Sequence, residues 1–211
     1  MKLNADFGIP AVMHAAKLPW VASPTPGVER RMLFRIGDEK ARATSIVRYA
    51  KNSHFPAHGH PGGEEILVLD GVFQDESGDY PAGSYIRNPP GSGHRPGSEP
   101  GCVIFVKLWQ FRRDDRAYLA LRNAEGTVFD NGHEQVRLET WAPDRDIELD
   151  NPEGLELLVL EGSFSIAGET FAPLSWLRLP AATPLHAKSG NQGARVWLKA
   201  GLLVQENLCA F

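Results

Sequence analysis

The stretch of sequence that decides the fold is HGHPGGEEILVLDGVF at residues 58–73, which the chain repeats as LDNPEGLELLVLEGSF at residues 149–164. Both copies keep an apolar run, the glycine after it and the following aromatic residue at the same spacing. The two histidines and the first glutamate of the first copy become Leu149, Asn151 and Leu155 in the second. A repeat that keeps its apolar framework and loses one polar cluster indicates that the cluster serves function rather than folding.

The composition excludes several classes of function. The 211 residues are 42% hydrophobic and 23% charged, with a net charge of −4, which is typical of a globular protein with one large or two small domains. We find no basic block for nucleic acid, no apolar run near the ~20 residues of a membrane span and no signal-peptide pattern. Cys102 and Cys209 form neither a disulfide framework nor a Cys-rich zinc site, so we expect a cytoplasmic protein. Because basic blocks and membrane-length apolar runs are missing, we expect no nucleic-acid or membrane partner.

Turn residues divide the chain into many short strands. The sequence contains 21 glycines and 16 prolines, which separate short β-branched and apolar runs, and helical periodicity is poor. This pattern predicts an all-β fold of paired β-barrels or double-sheet jelly rolls. The repeat extends over about residues 30–205. We therefore expect an N-terminal arm and a first barrel in residues 1–115, and a linker and a degenerate second barrel in residues 116–211.

The polar cluster of the first copy has the residue types and spacing of a metal site. His58 and His60 are two residues apart, so on an extended strand both imidazoles project from one face. Glu64 follows a proline–glycine bend, and His94 follows a second tight loop. Three imidazoles and one carboxylate suit one divalent transition metal, zinc or iron first and manganese or nickel after them, better than calcium or magnesium.

These motifs resemble those of the cupin superfamily. The pattern H-x-H-x3-E-x6-G spans residues 58–71, and G-x5-P-x-G-x2-H spans residues 83–94. The glycine that usually precedes the first motif is missing, and Ser98 replaces the asparagine that closes the second; neither change affects a ligand. The first motif and the arm at residues 20–33 look most like the ChrR-like cupins, which include the C-terminal domain of ChrR anti-sigma factors and some small-molecule dioxygenases. The resemblance implies a double-stranded β-helix bicupin, two tandem barrels with a metal inside the first.

Two adjacent glutamates compete for the carboxylate position. The second copy retains Glu65 as Glu156, but it replaces Glu64 by Leu155. Because the second copy has also lost the histidines, the glutamate that disappears with them is the expected ligand. The predicted metal ligands are therefore His58, His60, Glu64 and His94.

The polar residues outside the predicted ligand set have less specific interpretations. Tyr85 and Arg87 lie on the strand that leads to the last ligand, where they either contact a bound molecule or pack in the core. His186 lies near the equivalent of that ligand in the second unit and is interpreted as a remnant or a packing residue. His54 shares the parity of the ligand histidines and could line the cavity. The histidines interpreted as surface or hydrogen-bonded residues are His14, His54 and His133.

The ligand set leaves three functional hypotheses open, and it identifies no catalytic residue beyond the metal. A six-coordinate metal with four protein ligands keeps positions for water, a substrate or dioxygen. The first hypothesis is an iron-dependent dioxygenase that acts on a small carbonyl or phenolic compound. The second is a sensor or regulatory cupin related to ChrR that acts with a protein partner. An isomerase or other sugar-directed cupin ranks third, because no carbohydrate-specific pattern is present.

Expected partners follow from the same resemblance. We expect a small-molecule ligand in the barrel, and pairing of barrel edges in such folds makes a homodimer plausible. A sigma factor is not the expected partner, because residues 1–45 lack the helical, cysteine-containing zinc domain in which the anti-sigma activity of ChrR resides.

Overall fold

The computed structural model describes residues 1–201, 203 and 207–210. In these residues the regular structure is β-strand except for one 3-10 helix, Ala15–Lys17, which confirms the predicted all-β fold. Residues 202 and 204–206, where the predicted repeat ends, lie outside the described residues. Within the described chain, no helix has the length and apolar character needed to span a membrane.

The strands that carry the two copies of the repeat are long, and several of the strands between them are short. In chain order they are β1 (Lys2–Leu3), β2 (Ala11–His14), β3 (Val21–Ala22), β4 (Val28–Gly37), β5 (Ala41–Tyr49), β6 (Ser53–His54), β7 (His58–His60), β8 (Glu64–Asp75), β9 (Gly78–Pro81), β10 (Tyr85–Asn88), β11 (Ser92–His94), β12 (Gly97–Ser98), β13 (Cys102–Leu108), β14 (Leu119–Leu121), β15 (Gly126–Asp130), β16 (Glu134–Trp141), β17 (Asp146–Leu149), β18 (Leu155–Ile166), β19 (Glu169–Phe171), β20 (Ser175–Leu179) and β21 (Leu185–Gly201).

The chain forms two compact units whose limits differ from the expected division after residue 115. The N-terminal segment Asp6–Leu18 belongs to the second unit, because β2 pairs with β20. In the first unit, β14 pairs with β10, so this unit extends to Ala124. Pairing between strands distant in sequence leaves no local signal, so the sequence did not reveal these boundaries. The first unit contains Met1–Ala5, Pro19–Ala124 and the described part of Gln205–Phe211; the second contains Asp6–Leu18 and the described part of Glu125–Val204.

The two units share one strand order. In the first unit the neighbours run β4-β5-β13-β8-β10, and in the second they run β15-β16-β21-β18-β20. The registers agree as well, since Tyr85 lies opposite Leu67 and Trp176 lies opposite Leu158. The sequence repeat is therefore a repeat of strand order and register. In the first unit, β7 and β11 form a separate two-stranded sheet.

Strand β8 is buried on both faces, which explains its continuous apolar run. Ile66 and Val68 belong to the core cluster of the first unit. Leu67 points to the other face, as alternation along a strand requires, and is also only 2% exposed. A strand that is covered on both sides reads as an uninterrupted hydrophobic run rather than as an alternating one.

The glycine that follows each apolar run has the same backbone role in both units. Gly71 and Gly162 have φ angles of 69° and 65°, in the left-handed region. A Cβ at Gly71 would lie 2.0 Å from the carbonyl oxygen of Gly101, and one at Gly162 would lie 2.1 Å from that of Gly193. The duplicated glycine is therefore required by backbone geometry, and it carries no chemistry.

We predict that Gly71→Ala and Gly162→Ala each lower the free energy of unfolding by about 2–4 kcal/mol, because each adds a backbone collision to an unfavourable φ. The measurement is urea unfolding. The control is Gly168→Ala, which also has a positive φ but has no atom within 4 Å of the added Cβ, so it should cost only about 1 kcal/mol. Equal losses in all three variants would show that the close approach is not the cause.

Candidate metal centre

The structure brings the four predicted ligands together in the first unit. His58, His60, Glu64 and His94 each offer a ligand atom, and these atoms all lie within 4.8 Å of one another. The small sheet of β7 and β11 positions the histidines, because His58 lies directly opposite His94 in its register. Glu64 is supplied by the first residue of β8.

The geometry of the cluster fits a shared divalent ion. Oε2 of Glu64 lies 3.3 Å from Nε2 of His60 and 3.4 Å from Nε2 of His94. Metal–ligand bonds of about 2.0–2.1 Å place neighbouring ligand atoms roughly 3–3.4 Å apart. Nε2 of His60 is buried without a hydrogen-bond partner among the described residues, which would be costly unless it bound something. Three imidazoles and one carboxylate could therefore hold a transition metal.

Two of the histidines are oriented by groups on the far side of their rings. Nδ1 of His58 lies 3.3 Å from the carbonyl oxygen of Pro56, and Nδ1 of His60 lies 3.2 Å from Oγ of Ser92. Because the carbonyl oxygen of Pro56 can only accept, Nδ1 of His58 carries the proton in this contact. Its Nε2 then keeps a lone pair for a metal, as second-shell partners of metal-bound histidines commonly arrange.

A carboxylate and an amide orient the other two members of the cluster. Nδ1 of His94 lies 3.4 Å from Oδ2 of Asp75, at the end of β8. Nδ2 of Asn88 donates to Oε2 of Glu64 at 3.3 Å. Asp75 and Asn88 are not among the residues predicted from the sequence, although the repeat carries a signal for both, since the equivalent residues of the second unit are apolar.

Burial and charge shift the pKa values of two histidines in opposite directions. Burial lowers the pKa of His60, against the raising effect of the Glu64 carboxylate. Burial also opposes the charge on His94, but the adjacent Asp75 carboxylate and the charge of Glu64 raise its pKa overall. The lowered pKa favours the neutral form of His60, which a metal requires. The raised pKa of His94 reflects the carboxylates of Asp75 and Glu64, which lie on opposite sides of its ring.

Glu65 has a different environment from its neighbour Glu64. Its Oε1 accepts a hydrogen bond of 3.0 Å from the hydroxyl of Tyr85, and Nη1 of Arg87 lies 3.8 Å from its Oε2. In the second unit Glu156 accepts an equivalent bond of 2.7 Å from Nε1 of Trp176. Glu65 thus belongs to a buried network, and of the two interpretations left open for Tyr85 and Arg87, the structure shows packing within it.

Strand pairing corrects the assignment of His186. In the first unit His58 pairs with His94, and in the second Leu149 pairs with Leu185. Leu185, not His186, is therefore the equivalent of His94. His186 itself is exposed on β21, so the interpretation as a packing residue is wrong.

The remaining histidines lie away from the cluster. Nδ1 of His14 is 2.9 Å from Oγ of Ser175, and its Nε2 is 3.0 Å from Oε1 of Glu169, so His14 is hydrogen-bonded as predicted. His133 is exposed, also as predicted. His54 is exposed too, and it lines a separate open groove of about 600 Å³ with Asp75 and other charged residues.

A cavity of about 470 Å³ lies beside the cluster. Two of the candidate ligands, His58 and Glu64, form part of its wall, so a molecule in the cavity would meet the metal position. Its size and mainly apolar wall are typical of small-molecule sites, unlike the charged groove at His54. The apolar residues of its wall include Val28, Val47, Tyr49, Phe55, Ile104, Val106 and Leu108.

The fold and the cluster define the class, a cupin whose first unit carries a candidate metal centre. Residues 10–112 match the model of the ChrR Cupin-like domain family, so this part of the chain is similar to that family. The recognition based on the two sequence motifs is thereby confirmed. No curated protein sequence matches the chain.

Solved structures with the same fold extend over nearly the whole chain. A candidate dioxygenase from Nostoc punctiforme has a TM-score of 0.72 at 14% identity and covers 97% of this chain and 87% of its own. The Escherichia coli pirin YhhW in complex with nickel(II) has a TM-score of 0.68 at 14% identity and covers 93% and 100%. A cupin 2 conserved barrel domain protein from Leptotrichia buccalis has a TM-score of 0.57 at 11% identity and covers 90% and 95%. These similarities establish the cupin fold.

We predict that His58→Ala and His94→Ala each lower the metal content more than about tenfold, because each removes one of the four donors. The measurement is elemental analysis of protein purified without added metal. His186→Ala is the matched control and should keep the wild-type content, because this exposed histidine lies outside the cluster. Wild-type metal content in both site variants would contradict the assignment.

We also predict that Asp75→Asn weakens metal binding about 10- to 100-fold although no ligand is changed, because the substitution removes the carboxylate that orients His94. Competition with a chelator measures the dissociation constant. The control is Asp70→Asn, an exposed position on the same strand, which should bind metal like the wild type. If the two variants bind metal equally well, Asp75 has no orienting role.

Proposed function

We propose that this protein is a metal-dependent enzyme that oxidises a small organic compound with dioxygen. The observation that carries the proposal is that His58 and Glu64 belong to the ligand cluster and to the wall of the 470 Å³ cavity at once. A molecule bound there would lie next to the metal position. A purely structural metal site has its coordination closed by protein ligands, whereas this cluster faces a space of substrate size.

The chain's own residues supply binding, orientation and exclusion of water. Glu64 contributes one negative charge to the site, and Asn88 fixes one of its oxygens. Asp75 and Ser92 orient two of the imidazoles. The apolar wall keeps water away from a bound compound, which strengthens electrostatic interactions inside the cavity. When bound, an iron ion would supply Lewis acidity and redox chemistry with dioxygen.

We assign iron rather than zinc, because zinc has no redox chemistry and the proposed reaction requires it. The imidazole–carboxylate donor set accommodates manganese and nickel as well. Descriptions of proteins with the same fold support the proposal: the Nostoc protein is described as a candidate dioxygenase, and the Escherichia coli pirin was solved with nickel(II).

The second candidate function is a regulatory module that senses a metal or a small molecule. The observation that favours it is the match of residues 10–112 to the ChrR Cupin-like domain family. A sensor needs the same pocket and metal but no turnover, so the two functions differ in whether a bound compound is consumed.

We expect that protein reconstituted anaerobically with iron consumes oxygen when it is mixed with a suitable member of a panel of diketones and hydroxyaryl ketones. The zinc-loaded protein should show no uptake, because zinc cannot exchange electrons with dioxygen. His58→Ala should show none above background, and His54→Ala, which alters an exposed residue of the separate groove, should keep the wild-type rate. No uptake across the panel by fully iron-loaded protein would favour the sensor.

A further inference from the structure

Two arginines of β4 line the same cavity as the candidate ligands. Arg30 and Arg35 both contribute to its wall. Residues five apart on a regular strand project from opposite faces, so sequence spacing alone separates them. The pairing of β4 with β5 shifts its register between Met32 and Phe34. This bulge adds one residue to β4 and returns Arg35 to the face of Arg30.

The carboxylates nearest to these arginines, Asp38 and Glu39, are exposed and compensate their charges only in part. Arg35 is only 5% exposed, and its Nη2 donates to the carbonyl oxygen of Asp38. Nη2 of Arg30 lies 3.7 Å from the exposed Glu39 carboxylate, and its Nε is buried without a hydrogen-bond partner in the described chain. Burial and the charge of Arg30 lower the pKa of Arg35, and the charges of Glu39 and Asp38 oppose this shift without reversing it. Buried cations are destabilising unless an anion pairs with them.

The strand register relates Arg35 to the metal cluster. Arg35 lies opposite Ala43, Ala43 opposite Leu108, and Leu108 opposite Glu64. Neighbouring strands lie about 4.8 Å apart, so these three steps place the backbones of Arg35 and Glu64 roughly 14 Å apart across the sheet. Both side chains reach into the cavity from these positions. The space between the guanidinium and the metal cluster is therefore bounded by short or apolar side chains.

We infer that the cavity selects small organic acids with an apolar body. The carboxylate pairs with Arg30 and Arg35, the apolar body lies along Val47 and Ile104, and the far end of the molecule faces the metal cluster. Guanidinium groups recognise carboxylates through paired, charge-assisted hydrogen bonds. This inference rests on the proposed function, because it names the substrate class for the same site, but its test measures binding and needs no turnover.

The test uses zinc-loaded wild-type protein, in which the metal position is filled and no oxidation occurs. Calorimetry compares phenylacetate with phenylacetamide, which has nearly the same shape without the charge, and with acetate, which has the charge without the ring. We expect phenylacetate to bind at least about tenfold more tightly than either, because only it satisfies both the arginines and the apolar wall. Equal affinity for phenylacetate and phenylacetamide would overturn the inference.

Substitutions of single arginines test which side chain binds the carboxylate of phenylacetate. Arg30→Gln should weaken phenylacetate binding about 10- to 100-fold and leave phenylacetamide binding unchanged. Arg35→Lys, which keeps the charge but loses the planar fork, should weaken phenylacetate binding less. The matched control is Arg31→Gln, whose guanidinium lies 4.2 Å from the centre of the Trp20 ring and outside the cavity wall; its affinity should equal the wild type. Zinc content and far-UV circular dichroism verify folding of each variant.

The outcomes separate this inference from the proposed function. If Arg30→Gln binds phenylacetate like the wild type, the inference fails whatever the enzyme does. If phenylacetate binding depends on Arg30 but iron-loaded protein consumes no oxygen with arylacetates, 2-oxo acids or ketones, the acid-binding site stands and the oxygenase proposal fails. If neutral ketones are oxidised at the same rate by wild type and Arg30→Gln, and acids are not, the enzyme stands and the inference fails.

Discussion

Burial of β8 on both of its faces is the constraint on which the first unit depends. Two adjacent carboxylates open this strand, and alternation sends Glu64 and Glu65 to opposite sides. Each therefore needs its own partners in a buried setting, because an unpaired buried charge is costly. Glu64 obtains them from the histidine cluster and Asn88, and Glu65 obtains them from Tyr85 and Arg87. The side with the candidate metal ligands and the framework side are thus separated by a single residue step along one strand.

The second unit shows which residues belong to the candidate metal side, because it has replaced them together. The equivalents of two ligand histidines and of Glu64 are leucines that pack in or against its apolar core. The orienting residues have changed in the same way, with Ile166 in place of Asp75 and Leu179 in place of Asn88. The framework side retains its polar network through Glu156 and Arg178. Polar ligands without a metal would be buried donors and acceptors that lack partners, so their loss goes with apolar replacement. The residues exchanged for apolar ones are Leu149, Leu155, Ile166, Leu179 and Leu185.

The wall of the cavity contains three kinds of residue: candidate metal ligands, arginines and apolar side chains. A metal held by Glu64 and three neutral histidines would retain a net positive charge. The buried Arg35 and the partly buried Arg30 add positive charge three strand steps away. The side chains of the sheet between them are short or apolar. Such a space would suit the proposed ligand, a molecule with a negative end and a hydrophobic body, because charges interact more strongly beside apolar walls than in bulk water.

The sequence by itself determined the all-β fold, the repeat and the four candidate ligands. Alternation, turn residues and motif spacing act over a few residues, and the two copies provided an internal comparison that distinguished Glu64 from Glu65. The same comparison would have revealed Asp75 and Asn88, had it been applied to every polar position. Only the tertiary structure decided that β2 joins the second unit, that Leu185 rather than His186 corresponds to His94, and that Arg30 and Arg35 share a cavity. These depend on long-range strand register and on a one-residue bulge, and a one-residue shift reverses the face of every side chain that follows it.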